Sequence, residues 1–203
     1  MNFAIIAGSH RKESQSTKVA HACSHFLKSL VPNVTTNIID LSRNPLPLWD
    51  ESFWDKAPQW QTLWTPYSDI LKKAEGIVVV SPEWAGMVPA GLKNFFLFCG
   101  NEELAHKPGL IVTVSSGMGG SYPVAELRMS SYKNNRLCYI PDHVIIRHVT
   151  NVLNNLEKPE STDDTRIQTR LKYSLETLVQ YTKALKSVRE SPHLNYKEFG
   201  NGM

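Results

Sequence analysis

Four short apolar runs decide which architectures are open to this chain. Phe3–Ala7, Ile77–Val80, Leu110–Val114 and Val144–Ile146 are apolar at nearly every position rather than at alternate ones. An alternating strand leaves one face in water, whereas a continuous run needs cover on both faces, which a parallel sheet flanked by helices supplies. A further strand is expected at Thr35–Leu41, which carries Ile38, Ile39 and Leu41. Helical spacing fills the intervals. Val19, Cys23, Phe26, Leu27 and Leu30 recur within Thr17–Leu30, with Ser14 or Ser16 as cap. A second helix is expected over Thr62–Ala74 with Pro66 near its first turn, and a third from Pro89 with Leu92, Phe95, Phe96 and Cys99 facing inward. Pro123–Tyr132 gives a fourth, and Thr162, Asp163 and Asp164 open a long last helix with the stripe Ile167, Leu171, Leu175, Leu178, Leu185. Asn44–Leu48, with two prolines, reads as a loop. Five β/α units with right-handed crossovers predict an α/β doubly wound sheet in the order 2-1-3-4-5.

A chain of 203 residues holds one sizeable core, so a single domain over 1–203 is expected, with 191–203 either loose or covering a neighbour. The formal charge is +3 and is spread out, without the dense Lys/Arg stripe that nucleic acid requires. Cys23, Cys99 and Cys138 are scattered and lack metal or redox spacing, so they read as reduced thiols, and a cytoplasmic location is expected. No run is long enough to span a membrane. His21 and His25 stand at i, i+4 without an evident third ligand, and no metal is expected.

In such sheets ligands bind beyond the carboxyl ends of the strands, where the winding reverses. Three unusual segments fall there. After the first strand comes Gly8-Ser9-His10-Arg11-Lys12-Glu13-Ser14-Gln15-Ser16-Thr17, in which hydroxyls, a guanidinium and free helix-end amides suit a monophosphate. It has neither the Walker A pattern nor GxGxxG. Read alone, it is equally a serine-rich turn that caps a helix. After the third strand comes Ser81 to Pro89, where two prolines stiffen the path, Gly86 lets backbone approach a flat ligand, and Trp84 and Met87 offer apolar surface. After the fourth comes Ser115 to Tyr122, a small-residue loop with accessible amides.

These residues resemble the NADPH-dependent FMN reductase family, which includes chromate, quinone and azo-dye reductases on a flavodoxin-like three-layer fold. Its phosphate loop GS-x-R-x-x-S-x-[NST] is similar to Gly8–Ser16, and its SPEYN-x-x-[IV]-P-x-x-LKN stretch is similar to Ser81–Asn94. Weaker likenesses are the Ser/Gly loop Ser115–Gly120 and the Asp-Leu with following prolines, Asp40–Leu48. The resemblance implies that Ser9, Arg11, Ser14, Ser16 and Thr17 hold an FMN phosphate. It places Pro82, Glu83, Trp84, Ala85 and Gly86 along the isoalloxazine, and Ser115, Ser116, Gly117, Gly119 and Gly120 along its other edge. It further implies NADPH or NADH as hydride donor and a small-molecule acceptor such as a quinone, free flavin, azo compound or metal oxyanion. Homodimers or homotetramers are usual in the family, and part of Phe95-Phe96-Leu97-Phe98 would either meet a second subunit or lie within the monomer. The flavin carries the chemistry, in a ping-pong cycle, so no side chain is expected to act as acid or base. Backbone near Gly86 and Met87 is expected to donate a hydrogen bond to N5. Two departures stand in the motif: Trp84-Ala85 replaces Tyr-Asn, and Phe95–Phe98 replaces the residues usual after LKN. The rival readings are a flavodoxin-type electron carrier, against which the basic net charge argues, and a flavin-free binding protein on the same fold.

Overall fold

A computed structural model describes residues 1–202. Its strands are β1 (Asn2–Ala7), β2 (Thr35–Asp40), β3 (Gly76–Pro82), β4 (Pro108–Val114) and β5 (Cys138–Ile146), all paired in parallel in the order β2-β1-β3-β4-β5. The helices are α1 (Gln15–Leu30), α2 (Pro58–Lys73), α3 (Ala90–Phe98), α4 (Asn101–Leu104), α5 (Tyr122–Met129), α6 (Thr162–Ala184) and α7 (Lys186–Arg189), with 3-10 turns at Glu51–Phe53 and Val149–Asn151. This is the flavodoxin-like topology, and it bears out the expected order.

Strand alternation divides the core into two halves. Phe3, Ile5, Val78, Val80, Leu110 and Val112 face α1 and α6, against Val19, Phe26, Leu27, Leu171, Leu175 and Leu178. Ala4, Ile6, Ile77, Val79 and Ile111 face α2, α3 and α5, against Trp64, Leu71, Leu92, Phe95 and Leu127. Both faces of β3 are therefore buried along its whole length, which accounts for its unbroken apolar run. Phe95, Phe96 and Phe98 all enter the second half of the core, leaving Leu97 exposed.

Several boundaries differ from the sequence expectation. α2 begins four residues early, with Pro58 in its first turn, and Pro66 lies inside it. The prolyl ring removes the amide that would bond the Thr62 carbonyl, but both residues are exposed, so water satisfies that carbonyl. α2 starts there because Trp60, Trp64, Ser68 and Leu71 form its buried stripe. β5 contains the Val144–Ile146 run and extends six residues upstream of it, because it is an edge strand of mixed burial and only its last residues are continuously apolar. The segment after Ser191 is tied down rather than loose: Arg136 donates to the Phe199 and Gly200 carbonyls, and its guanidinium lies 5.1 Å from the centre of the Tyr196 ring. No helix among the described residues is long and apolar enough to cross a membrane.

Candidate functional site

The loops after β1, β3 and β4 meet at the carboxyl edge of the sheet. Ser9, Arg11, Ser14 and Ser16 from the first, Pro82, Glu83 and Trp84 from the second, and Ser115 and Ser116 from the third line one cavity of about 360 Å3. Glu13 and Gln15 of the first loop, Val114 at the end of β4, and Val149 and Thr150 beyond β5 also line it. Sequence reasoning missed Val149 and Thr150, although the carboxyl-edge rule applies to β5 as well.

In the first loop Ser14 caps α1, its Oγ accepting from the Thr17 amide at 3.1 Å. Thr17 turns away from the cavity: its hydroxyl bonds Ser14 Oγ at 2.9 Å and donates to Asp40 Oδ2 at 3.3 Å. It therefore ties the cap to the end of β2 rather than lining the site. Ser9 is buried and its Oγ accepts from the Arg11 amide at 3.3 Å, bending the loop so that Arg11 stands exposed at the rim. Ser16 is different. It is 1 % exposed and lines the cavity, yet its Oγ has no hydrogen-bond partner among the described residues. A buried hydroxyl left unpaired costs about 1–3 kcal/mol. Ser16 lies in the first turn of α1, and the described residues leave it without a partner.

The second loop is a tight reversal. The Trp84 amide donates to the Met87 carbonyl at 3.1 Å and the Met87 amide to the Trp84 carbonyl at 2.9 Å. Between them Ala85 has φ +49° and Gly86 φ +73°, the combination of a type I′ turn. Glycine is therefore needed at 86 for its positive φ more than for close approach of a ligand. The Met87 amide is already committed to this turn, so it is not available to a ring nitrogen, which corrects that part of the expectation. Gly86 keeps its amide free among the described residues.

Glu83 acts sideways. Its Oε2 accepts from the Gly120 amide at 2.6 Å and from the Tyr122 amide at 3.3 Å, locking the third loop to the second. From the far side Arg147 Nε donates to the Met118 carbonyl at 2.7 Å and the Gly119 carbonyl at 3.1 Å, and the His148 amide donates to the Gly117 carbonyl at 3.1 Å. Gly117, Gly119 and Gly120 are thus held by protein on two sides and do not line the cavity; neither do Ala85 and Gly86. Behind the second loop, Glu126 accepts from the Val88 amide at 2.6 Å and pairs with Lys93, while Asn94 donates to the Pro47 carbonyl and accepts from the Trp49 amide, both at 2.8 Å. The lysine and asparagine of the LKN motif therefore brace loops.

A larger hollow of about 810 Å3 runs along α2, floored by Trp60, Trp64 and Phe98. Its Lys72 and Glu102 pair with each other at 2.6 Å and Glu103 accepts from Ser68, so these polar groups already have partners. Volume alone does not mark the site.

The chain is 31% identical over 125 residues to a quinone reductase of Pseudomonas putida, a match covering 60% of this chain and 63% of that protein, just under two thirds of the relative's length. It is 27% identical over 193 residues to an NADPH:quinone oxidoreductase of Arabidopsis thaliana, covering 91% of this chain and 93% of the relative. Among solved structures, a flavoenzyme NAD(P)H:(acceptor) oxidoreductase of Paracoccus denitrificans superposes with a TM-score of 0.68 at 17% identity, over 90% of this chain and 97% of that one, a likeness of fold. The family model described as NADPH-dependent FMN reductase matches residues 1–151, which hold all three loops, and the chain belongs to that family.

Proposed function

We propose that the protein is an FMN-dependent NAD(P)H oxidoreductase that passes hydride from a reduced nicotinamide to a small-molecule acceptor of the quinone class. The observation that carries this reading is the buried, unpartnered Ser16 hydroxyl in the cavity between the phosphate-type loop and the Trp84 turn. Its neighbours Ser9, Ser14 and Arg11 supply the further donors that a phosphate dianion needs, so the residues present fit an FMN phosphate. Bound there, the flavin would supply hydride acceptance and donation at N5.

The side chains have narrower tasks. Arg11 at the rim and Ser16 at the floor would bind the phosphate, and the first turn of α1 would favour its charge. Pro82, Glu83 and Trp84 would border the ring, with the Gly86 amide as the donor left free by the turn. Ser115 and Ser116 would reach the ring from its other edge, and Glu83 with Arg147 would keep that loop in place. No acid or base is required of the protein. The exposed Leu97, Met87 and Met129 support assembly as a homodimer or homotetramer, and the reduced thiols Cys23, Cys99 and Cys138 support a cytoplasmic location.

The test is to add FMN to purified protein, remove the excess, record the visible spectrum, and then add NADPH without oxygen. Retained flavin that NADPH bleaches supports the reductase. Retained flavin that stays oxidised would turn the reading towards an electron carrier, and a colourless protein would overturn both.

A further inference from the structure

A second hollow lies beside the phosphate loop. It is walled by Leu41, Pro45, Leu46 and Gly91, its volume is about 300 Å3, and its one polar side chain is His10. His10 fills the variable position of the GS-x-R pattern, and its ring is posed by two neighbours. It stands edge-on to the Trp84 ring, with centroids 4.6 Å apart and planes at 81°. On its other side is Gly91, where an added Cβ would lie 3.0 Å from His10 Nδ1 and would press the imidazole aside by a few tenths of an ångström. His10 is exposed and neither ring nitrogen has a hydrogen-bond partner among the described residues, which leaves a donor and an acceptor open to water or a ligand.

The walls are aliphatic and preformed. The Leu41 amide donates to the Ala7 carbonyl at 3.2 Å, and Asn94 holds the Pro45-Leu46-Pro47 run through the Pro47 carbonyl at 2.8 Å. A small, mostly apolar hollow with one directed polar group is the usual form of a site for an uncharged small molecule. The lining holds no Lys or Arg to offset the desolvation of a dinucleotide phosphate or an oxyanion. Trp84 also borders the phosphate cavity, so the His10–Trp84 contact joins the two hollows.

We propose that this hollow is a subsite for a flat, uncharged aromatic bearing a carbonyl oxygen, the quinone class, with His10 donating to that oxygen and the His10–Trp84 contact linking the hollow to the flavin cradle. No bond forms or breaks in the subsite. The inference rests on the proposed function for the fate of the ligand, but not for its binding.

The experiment titrates the full-length oxidised protein, FMN-loaded and FMN-stripped, with duroquinone in the absence of nicotinamide. Its ring carbons are all substituted, so the exposed Cys138 thiol does not add to it. The readouts are the dissociation constant and the NMR signals of the His10 ring, assigned from the spectrum of His10→Gln. Binding should shift those signals. Leu46→Arg, which sets a charge in the aliphatic wall, should weaken duroquinone about tenfold while leaving FMN retention unchanged. Gly91→Ala, which drives His10 aside, serves as a second variant should Leu46→Arg fold poorly. Unmoved His10 signals, or an unchanged dissociation constant in a folded variant, would overturn the subsite. A yellow, NADPH-bleached protein giving that result keeps the reductase reading. A colourless protein that binds duroquinone through His10 keeps the subsite and loses the reductase.

Discussion

The two edges of the sheet use the same kinds of side chain to opposite ends. At the amino edge polar groups are consumed within the chain. Lys107 is buried, with Nζ donating to the Leu71 carbonyl at 2.6 Å and the Lys72 carbonyl at 3.2 Å, where α2 ends. Glu103 accepts from Ser68 Oγ at 2.6 Å and the Gly100 amide at 2.9 Å, and Arg136 serves Asn101 and the chain end. At the carboxyl edge Arg11 stands exposed and Ser16 Oγ is without a partner. Other buried atoms lack partners too, such as Ser174 Oγ on α6, but of these only Ser16 lines the phosphate cavity. Partners at one edge make stability; missing partners at the other make a site, and mutation should separate the two.

The largest effect is expected at the amino edge. Lys107→Ala removes a buried side chain together with its bonds to the Leu71 and Lys72 carbonyls and should cost about 3 kcal/mol of stability. In a chain of this size that lowers Tm by on the order of 10 °C, while flavin retention below the melt stays unchanged. A folded variant that loses flavin would break the comparison. The same residue sets a pH dependence. Burial first, and Arg189 next, pushes the Lys107 ammonium down from 10.5 to about 8. The protonated form is the one disfavoured in the fold, so its cost is full below pH 8 and is relieved as pH rises towards 10.5. The stability of the wild type relative to Lys107→Ala should therefore rise across that window; a flat difference would show that the two carbonyls keep the ammonium at its ordinary value.

Next comes Glu83→Ala. Two amides of the third loop lose a charged acceptor, and bonds to charged groups are worth about 1.5–3 kcal/mol each. With part of the loss met by water, FMN should bind about thirtyfold more weakly, measured by flavin fluorescence on release. Undiminished affinity would show that Arg147 at Met118 and Gly119 and Thr113 at Gly120 hold the loop without Glu83.

Ser16→Ala sharpens the comparison most, since its two effects have opposite signs. Removing an unpartnered buried hydroxyl should stabilise the flavin-free protein by about 1 kcal/mol, and it should weaken FMN by about 1 kcal/mol, some fivefold. Paired melting curves with and without FMN read both, and a variant less stable in both states would place a hidden partner on Ser16.

The sheet order and the three loops were legible because both are local signals: runs covered on two faces, and Ser/Gly/Pro clusters at their ends. What stayed hidden acts across the chain. Glu83 reaches the Gly120 amide and Asn94 the Trp49 amide, separations of 37 and 45 residues that leave no periodic trace. A proline inside a helix reads locally as a first-turn proline, which sets the start of α2 near Pro66, whereas the Trp60, Trp64, Ser68, Leu71 stripe sets it at Pro58. Thr17 was grouped with the phosphate ligands by motif, whereas only geometry shows it turned to Asp40.

Ala85 carries the smallest and cleanest effect. It takes the place of the motif's asparagine at the first central position of a turn that demands positive φ, and it stands there at +49°. Asparagine visits that region readily and glycine without penalty, whereas an alanine methyl crowds the following carbonyl at a cost of roughly 1–2 kcal/mol. Ala85→Gly recovers part of that against the greater freedom of glycine in the unfolded chain, for a net gain of about 0.5 kcal/mol. Ala85→Asn avoids that loss and should gain about 1 kcal/mol, raising Tm by some 2–4 °C. Both changes lie outside the phosphate cavity, so phosphate recognition should be untouched, and an asparagine amide beside the ring would show as a shift in flavin potential. If neither substitution raises Tm, the Trp84–Met87 bonds alone determine the turn, and the strain assigned to Ala85 is absent.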